Sequence, residues 1–235
     1  MTLVAPVGVL GPPEGTVRYG LEFRPNVTAL QVPTRELSVE RYLDRFWLML
    51  PPGPDERQKL LDGFFNAVAE DYESLIDVPR NVANIRHLLT SLQLRVDIDP
   101  NDRVIDFGCG TGLAASVAQE MNVRLIGLDS SENMRRMARA RSLATMSPGE
   151  LARSKKGWFV GAVASYVLHL LPHTKGFELM WSRLAAHAVV VANFHKDHGI
   201  DQVVQVIDRT GGMVERIGTD PAHGTYLAMH RSRQR

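Results

Sequence analysis

The chain has 235 residues, 27 Lys+Arg against 26 Asp+Glu, and a formal net charge of +1. With 44% hydrophobic and 23% charged residues, it holds enough apolar material for a sizeable core, which argues against wholesale disorder. The near-zero charge removes the electrostatic footprint of a general nucleic-acid binder. The single cysteine, Cys109, excludes an intramolecular disulfide and a cysteine-built zinc cage, so a reducing, cytoplasmic setting is the simplest expectation.

The first fifteen residues have no basic start and are interrupted by Pro6, Pro12 and Pro13, unlike a signal peptide. Eight of the thirteen prolines fall in residues 1–54. That shift sets residues 1–57 apart as an N-terminal extension or cap, with one larger domain expected over 58–235. Residues 16–23 and 27–32 read as short strands. Leu37, Val39, Tyr42, Phe46 and Leu50 predict a helix over 35–50, which makes the cap mostly helical. Two further helices follow over 56–76 and 79–94, each with apolar residues three and four apart.

From about residue 100 the texture alternates. Strands are expected at 103–107, 123–128, 158–165 and 188–194, and helices at 112–121, 131–141, 177–186 and 200–210. Only 142–147 is available for a third strand in order, and it is short. The chain closes with strands at 213–217 and 225–230, too close together for a parallel crossover and therefore antiparallel. The pattern predicts an α/β fold with a Rossmann-like, doubly wound sheet of seven strands whose last strand is antiparallel. The longest stretch free of Asp, Glu, Lys and Arg runs between Lys156 and Lys175. It is broken by Gly161, Ser165, His169 and Pro172, and reads as a buried strand followed by a helix, not a membrane span.

The informative stretch is Asp106-Phe107-Gly108-Cys109-Gly110-Thr111-Gly112. Three glycines alternate after a strand and before a helix. They permit turns that a Cβ forbids and let a ligand approach the main chain, while the helix offers free N–H groups and a positive dipole end. A second strand ends in Asp129, seventeen residues past Gly112, where an acid can accept hydrogen bonds from ribose hydroxyls.

These residues resemble class I S-adenosylmethionine-dependent methyltransferases of the small-molecule type. The Asp106-to-Gly112 run is similar to that family's first motif, Gly127-Leu128-Asp129-Ser130-Ser131-Glu132-Asn133-Met134 to its second, and Val163 to Leu171 to its segment after strand four. A dinucleotide fingerprint would need glycine where Leu113 stands. The resemblance implies that Gly108, Cys109, Gly110 and Gly112 line the methionine part of S-adenosylmethionine, and that Asp106 holds its ammonium. It places Asp129 on the ribose, Ser130 and Met134 beside the sugar and adenine, Ser147 at the adenine end of the third strand, and Ala164 at the tip of strand four. Tyr72 stands where related enzymes often place a tyrosine near the cofactor carboxylate.

For the acceptor, residue chemistry removes several subtypes. The only cysteine lies in the glycine loop, so a thiol nucleophile for a pyrimidine carbon is absent. The segment after strand four reads Ala164-Ser165-Tyr166-Val167, unlike the loop of adenine amino-methyltransferases, and it lacks paired glutamates for arginine or clustered acids for a metal. A small metabolite methylated on oxygen or nitrogen, with S-adenosyl-L-homocysteine as the by-product, is the leading expectation. Natural-product biosynthesis is one setting for such a reaction. His169 and His195, with His173 and His198 behind them, are the candidate bases. The His195-to-His198 cluster reads as a solvated loop and not a metal site. Tyr42, Phe46, Trp47 and Tyr166 are candidate substrate-binding residues, the first three as an aromatic wall on the cap. Neither a nucleic acid nor a membrane is expected as partner. The oligomeric state is open, including a homodimer reached through the Pro-rich N-terminus. Two other readings stand beside the leading one: a protein of this fold that binds without transferring a methyl, and a nicotinamide oxidoreductase.

Overall fold

The computed structural model describes residues 4–10, 18–23, 39–42, 45–49, 54–170, 174–197 and 199–231. It divides into two compact units, Met1–Val78 and Pro79–Arg235.

The first unit carries a four-stranded antiparallel sheet of β1 (Val4–Leu10), β2 (Arg18–Phe23), β3 (Val39–Tyr42) and β4 (Arg45–Met49), in the order β1-β2-β4-β3. The strand expected over 16–23 is present as β2. The helix expected over 35–50 is not: its described parts are β3 and β4, so this region is a sheet and not a mostly helical cap. The reason is visible in Phe46-Trp47-Leu48-Met49, four consecutive apolar residues with no helical period and a length that suits a strand. The strand expected over 27–32 lies outside the described residues.

Helices α1 (Pro54–Val68) and α2 (Tyr72–Leu75) complete the unit. They replace the single helix expected over 56–76. The break falls at Glu70-Asp71, where two acids would oppose the negative C-terminal end of the helix dipole.

The second unit is led by α3 (Val78–Gln93), followed by β5 (Val104–Phe107), α4 (Ala114–Glu120), β6 (Leu125–Leu128), α5 (Glu132–Ala140) and β7 (Ala144–Met146). Then come α6 (Pro148–Arg153), β8 (Phe159–Ala164), α7 (Lys175–Arg183), β9 (Leu184–Phe194), α8 (Ile200–Arg209), β10 (Met213–Asp220) and β11 (Gly224–His230). The seven strands form one sheet in the order β10-β11-β9-β8-β5-β6-β7. The β7, β6, β5, β8 and β9 strands are mutually parallel. The β11 strand runs antiparallel to both β9 and β10. The Rossmann-like seven-stranded arrangement is therefore as expected, with a closing antiparallel hairpin and a shortened third strand.

Two buried apolar layers cover the faces of the sheet. One is built on Phe159, Phe177, Trp181, Val190 and Phe194, the other on Leu88, Leu92, Val104, Val117 and Val163. The strand order reverses between β5 and β8, so the crevice between their carboxyl ends is the switch point at which open α/β sheets bind ligands.

The α6 helix has no counterpart among the expected elements, although its signal is local. Ser147-Pro148-Gly149-Glu150 forms a capping box with proline at the first turn. The helix expected after β8 is only a 3-10 turn, Leu168–Leu170. Among the described residues, no helix is long and apolar enough to cross a membrane.

Candidate active site

The loop leaving β5 is shaped by its glycines. Gly108, Gly110 and Gly112 all take left-handed φ values of 73°, 51° and 83°, a region that disfavours a Cβ. Space matters as much as angle. A Cβ on Gly108 would collide with the side chain of Val167, and one on Gly112 would lie 2.7 Å from Ala138 Cα in α5. The loop is thus pinned between the segment after β8 and the helix after β6.

Hydrogen bonds fix it further. The N–H groups of Gly108 and Cys109 donate to Leu128 O at 2.7 and 3.2 Å. The Asp129 carboxylate accepts from Gly110 N and from Ser131 N, both at 2.9 Å. The acid expected to meet a ribose is therefore already oriented. Arg135, 8% exposed, donates to Asp129 O at 2.6 Å and Ser130 O at 2.9 Å and holds the tip of β6 from behind. Ser131 caps α5 by accepting from Met134 N at 3.2 Å, and Met134 is buried.

Below the loop Asp106 is 3% exposed. Burial first, and the nearby Asp129 second, push its carboxyl up to about 7. The Cys109 side chain is buried, with its thiol pushed up by burial and then by Asp129 and Asp106, so only the main chain of Cys109 can border a ligand. In the same loop Thr111 is 2% exposed, and its Oγ1 has no hydrogen-bond partner among the described residues. A buried hydroxyl left so is costly unless a ligand meets it. A loop in which every second residue lacks a Cβ, a tethered acid beside it, a buried acid beneath it and an unmet hydroxyl within it fit an amino-acid-bearing nucleoside cofactor.

The other expected site residues fall in different places. Ala164 ends β8 with its methyl in the core. The Ser147 hydroxyl is engaged in the capping box, donating to Glu150 Oε2 at 2.8 Å and accepting from Glu150 N at 3.2 Å. His169 and His195, which follow the neighbouring strands β8 and β9, come together with ring centroids 5.8 Å apart. His173 and His198 lie outside the described residues. Tyr72 opens α2 in the first unit, its ring 6.2 Å from that of Phe65. By strand register Tyr42 pairs with Arg45, Phe46 with Leu21 and Arg41, and Trp47 with Gly20 and Glu40. Tyr166 has a left-handed φ of 53°, and its hydroxyl is hydrogen-bonded to His223 Nδ1.

That last contact belongs to a polar network not expected from the sequence. Asn84 of α3 donates to Ser165 Oγ at 2.8 Å and to Asn193 Oδ1 at 3.0 Å, and accepts from the Tyr226 hydroxyl at 2.6 Å. Asn193 also accepts from Tyr166 N and donates to His223 O, both at 2.9 Å. The network joins α3, the ends of β8 and β9, and the closing hairpin. Its signal was the asparagine in the apolar run Val189 to Phe194, since a polar residue in a buried strand must find partners. Among the described residues, no group of three or more His, Cys, Asp or Glu could hold a metal ion.

The family model of a methyltransferase domain matches residues 75–194, half of the chain. An uncharacterized methyltransferase of Schizosaccharomyces pombe is 33% identical over 82 residues, 34% of this chain and 32% of that protein. A demethylmenaquinone methyltransferase of Symbiobacterium thermophilum is 30% identical over 100 residues, 40% of this chain and 39% of that protein. The match thus spans less than half the length of these curated relatives. Among solved structures, magnesium protoporphyrin IX methyltransferase from Synechocystis PCC 6803, with S-adenosylmethionine bound, shares the fold. Its TM-score is 0.54 at 20% identity, over 74% of this chain and 97% of that one. With its glycine loop, its tethered acid after the second parallel strand and a matching domain over half its length, the chain belongs to the methyltransferase domain family, whose cofactor is S-adenosylmethionine.

Proposed function

We propose that the chain transfers a methyl group from S-adenosylmethionine to an oxygen or nitrogen of a small metabolite. The observation that carries this reading is the glycine loop held at the switch point, with Asp129 oriented by Gly110 and Ser131. S-adenosylmethionine supplies a methyl on a sulfonium whose thioether leaves readily. The chain's own contribution is binding, alignment and exclusion of water. Asp106 meets the cofactor ammonium, Asp129 its ribose, and Ser130 and Met134 flank the nucleoside. Where the acceptor must lose a proton, the candidates to receive it are His169 and His195, which follow β8 and β9 and lie with ring centroids 5.8 Å apart.

Calorimetry with S-adenosylmethionine and its demethylated product tests the reading. Asp129→Ala is expected to weaken binding by roughly 1–3 kcal/mol, the scale of a lost hydrogen bond to a charged group. Asp129→Asn, which keeps one acceptor oxygen, should lose less. An unchanged affinity in the alanine variant would mean that the ribose sits elsewhere. The capping role of Ser147 favours one alternative, a cofactor-binding protein that transfers nothing, because no acid stands at the end of β7. Cofactor binding without methyl transfer to any small-molecule fraction would select that alternative.

A further inference from the structure

A cavity of about 340 Å³ opens between α3 and the closing hairpin. Asn84 and His87 form its helix side, and Gly218, Asp220, His223 and Tyr226 its hairpin side. The His87 and Tyr226 rings meet edge to face, with centroids 4.5 Å apart at 61°, and the His223 ring lies 6.3 Å from that of Tyr226. Two rings at a corner offer a flat guest one face to stack on and one edge to meet, the arrangement aromatic groups prefer.

The polar groups around this corner are mostly neutral. The Tyr226 hydroxyl is given to Asn84. The His223 Nδ1 is bonded to Tyr166, which leaves Nε2 as the other polar atom of that ring. Burial holds His223 below the usual imidazole range, which favours the uncharged ring. Asp220 is turned onto its own hairpin, accepting from Ala222 N at 2.6 Å and His223 N at 3.1 Å. Arg80 and Asp220 act on His223 with opposite signs.

The cavity is also close to the place where transfer would occur. Asn84, in its wall, donates to Ser165, the first residue past β8. Two residues further on, Val167 closes over Gly108.

We propose that this cavity holds the methyl acceptor, and that the acceptor is an uncharged planar aromatic bearing a hydroxyl or amino group. The inference rests on the methyltransferase reading above. The volume lies at the lower end of small-molecule sites, about 300–1,000 Å³, which suits a small ring system. The edge of the guest meets His223, and its face lies on His87 or Tyr226.

The full chain, saturated with S-adenosylhomocysteine, is titrated with 2-naphthol and, separately, with hexanoate. Gly218 lines the cavity and a Cβ added there would have no neighbour within 4 Å, so Gly218→Phe starts its side chain in open space and is the variant chosen to fill the cavity. The wild type is expected to bind 2-naphthol and not hexanoate. Gly218→Phe should weaken 2-naphthol by about tenfold or more with its melting temperature unchanged, and His87→Ala by at least about threefold. His87→Ala keeps the test alive if the phenylalanine variant does not fold. Equal 2-naphthol binding by the wild type and both variants, no binding by the wild type, or preference for hexanoate would overturn the proposal. Methyl transfer to a cell extract is followed in parallel. Transfer with no effect of the cavity variants sinks the cavity alone. Naphthol binding with no transfer sinks the methyltransferase reading and leaves a ring-binding site.

Discussion

Gly112→Ala is expected to lower stability by about 2–4 kcal/mol and to abolish most cofactor binding. Two effects add at this position. The residue has φ of 83°, which a Cβ disfavours, and the new Cβ would press on Ala138 Cα at 2.7 Å and Ala138 Cβ at 2.8 Å. The first of those is backbone in α5, which cannot yield as a flexible side chain does. Relief would require α5 to move away from the loop. That would shift Ser131 and Arg135, the residues that orient Asp129. Urea denaturation and calorimetry with S-adenosylmethionine measure both losses. Gly63→Ala is the control. Gly63 lies inside α1, and a Cβ added there would meet nothing within 4 Å, so the change should stabilise by about 0.5–1 kcal/mol. A Gly112→Ala protein that unfolds and binds like the wild type would show that α5 does not press on the loop.

Asp106→Asn should stabilise the protein at pH 8 while weakening its grip on the cofactor. An ordinary aspartate titrates near 3.8, and Asp106 is raised to about 7 by burial and by Asp129. Between those values the folded chain holds a proton that the unfolded chain has released. Stability contributed by this group is therefore full below about pH 4, falls as pH rises to about 7, and stays low above. Asparagine escapes that cost, so the variant should exceed the wild type at pH 8 by on the order of 2–4 kcal/mol, a gap that closes toward pH 4. Cofactor binding should move the other way. With Asp106 on the cofactor ammonium, as proposed, its ionisation should strengthen binding, and wild-type affinity is expected to rise as pH passes through about 7. The variant loses roughly 1.5–3 kcal/mol of binding and most of that pH dependence. Denaturation at pH 4.5 and pH 8, with binding measured at the same two values, checks both halves. An identical pH slope of stability in the two proteins would mean that Asp106 is not the group responsible.

How much of this was legible in the sequence depends on the range over which each feature is determined. The glycine loop was legible because the requirement for φ above zero acts within one residue, and because strand, loop and helix are contiguous there. The meeting of His169 and His195 was foreseeable from topology, since both follow parallel strands that lie side by side. The β3 and β4 strands were not, because Tyr42 and Phe46 satisfy a four-residue spacing while Phe46 to Met49 also make a continuous strand. Strand pairing with residues 18–21 decides between them, and periodicity carries no information about pairing. The Asn84–Asn193 contact spans 109 residues. The sequence marks Asn193 as out of place in an apolar strand, but Asn84 stands in an amphipathic helix with other polar residues, and nothing local shows that one answers the other. The capping box at Ser147 was fully local, and a search for Ser-Pro-x-Glu would have found α6.

The burial of Cys109 gives the chain a built-in reporter. Its sulfur sits where a Cβ on Gly127 would be only 2.7 Å away, beneath the loop and against β6, and it is the sole thiol in the sequence. A thiol reagent can reach it only while the loop lifts from the sheet, since the reactive form is the exposed thiolate. The rate of labelling is therefore a clock for loop opening in the unmodified protein, with no engineered probe and no competing signal. Saturating cofactor should slow that clock, and the ratio of the two rates measures how far occupancy closes the loop.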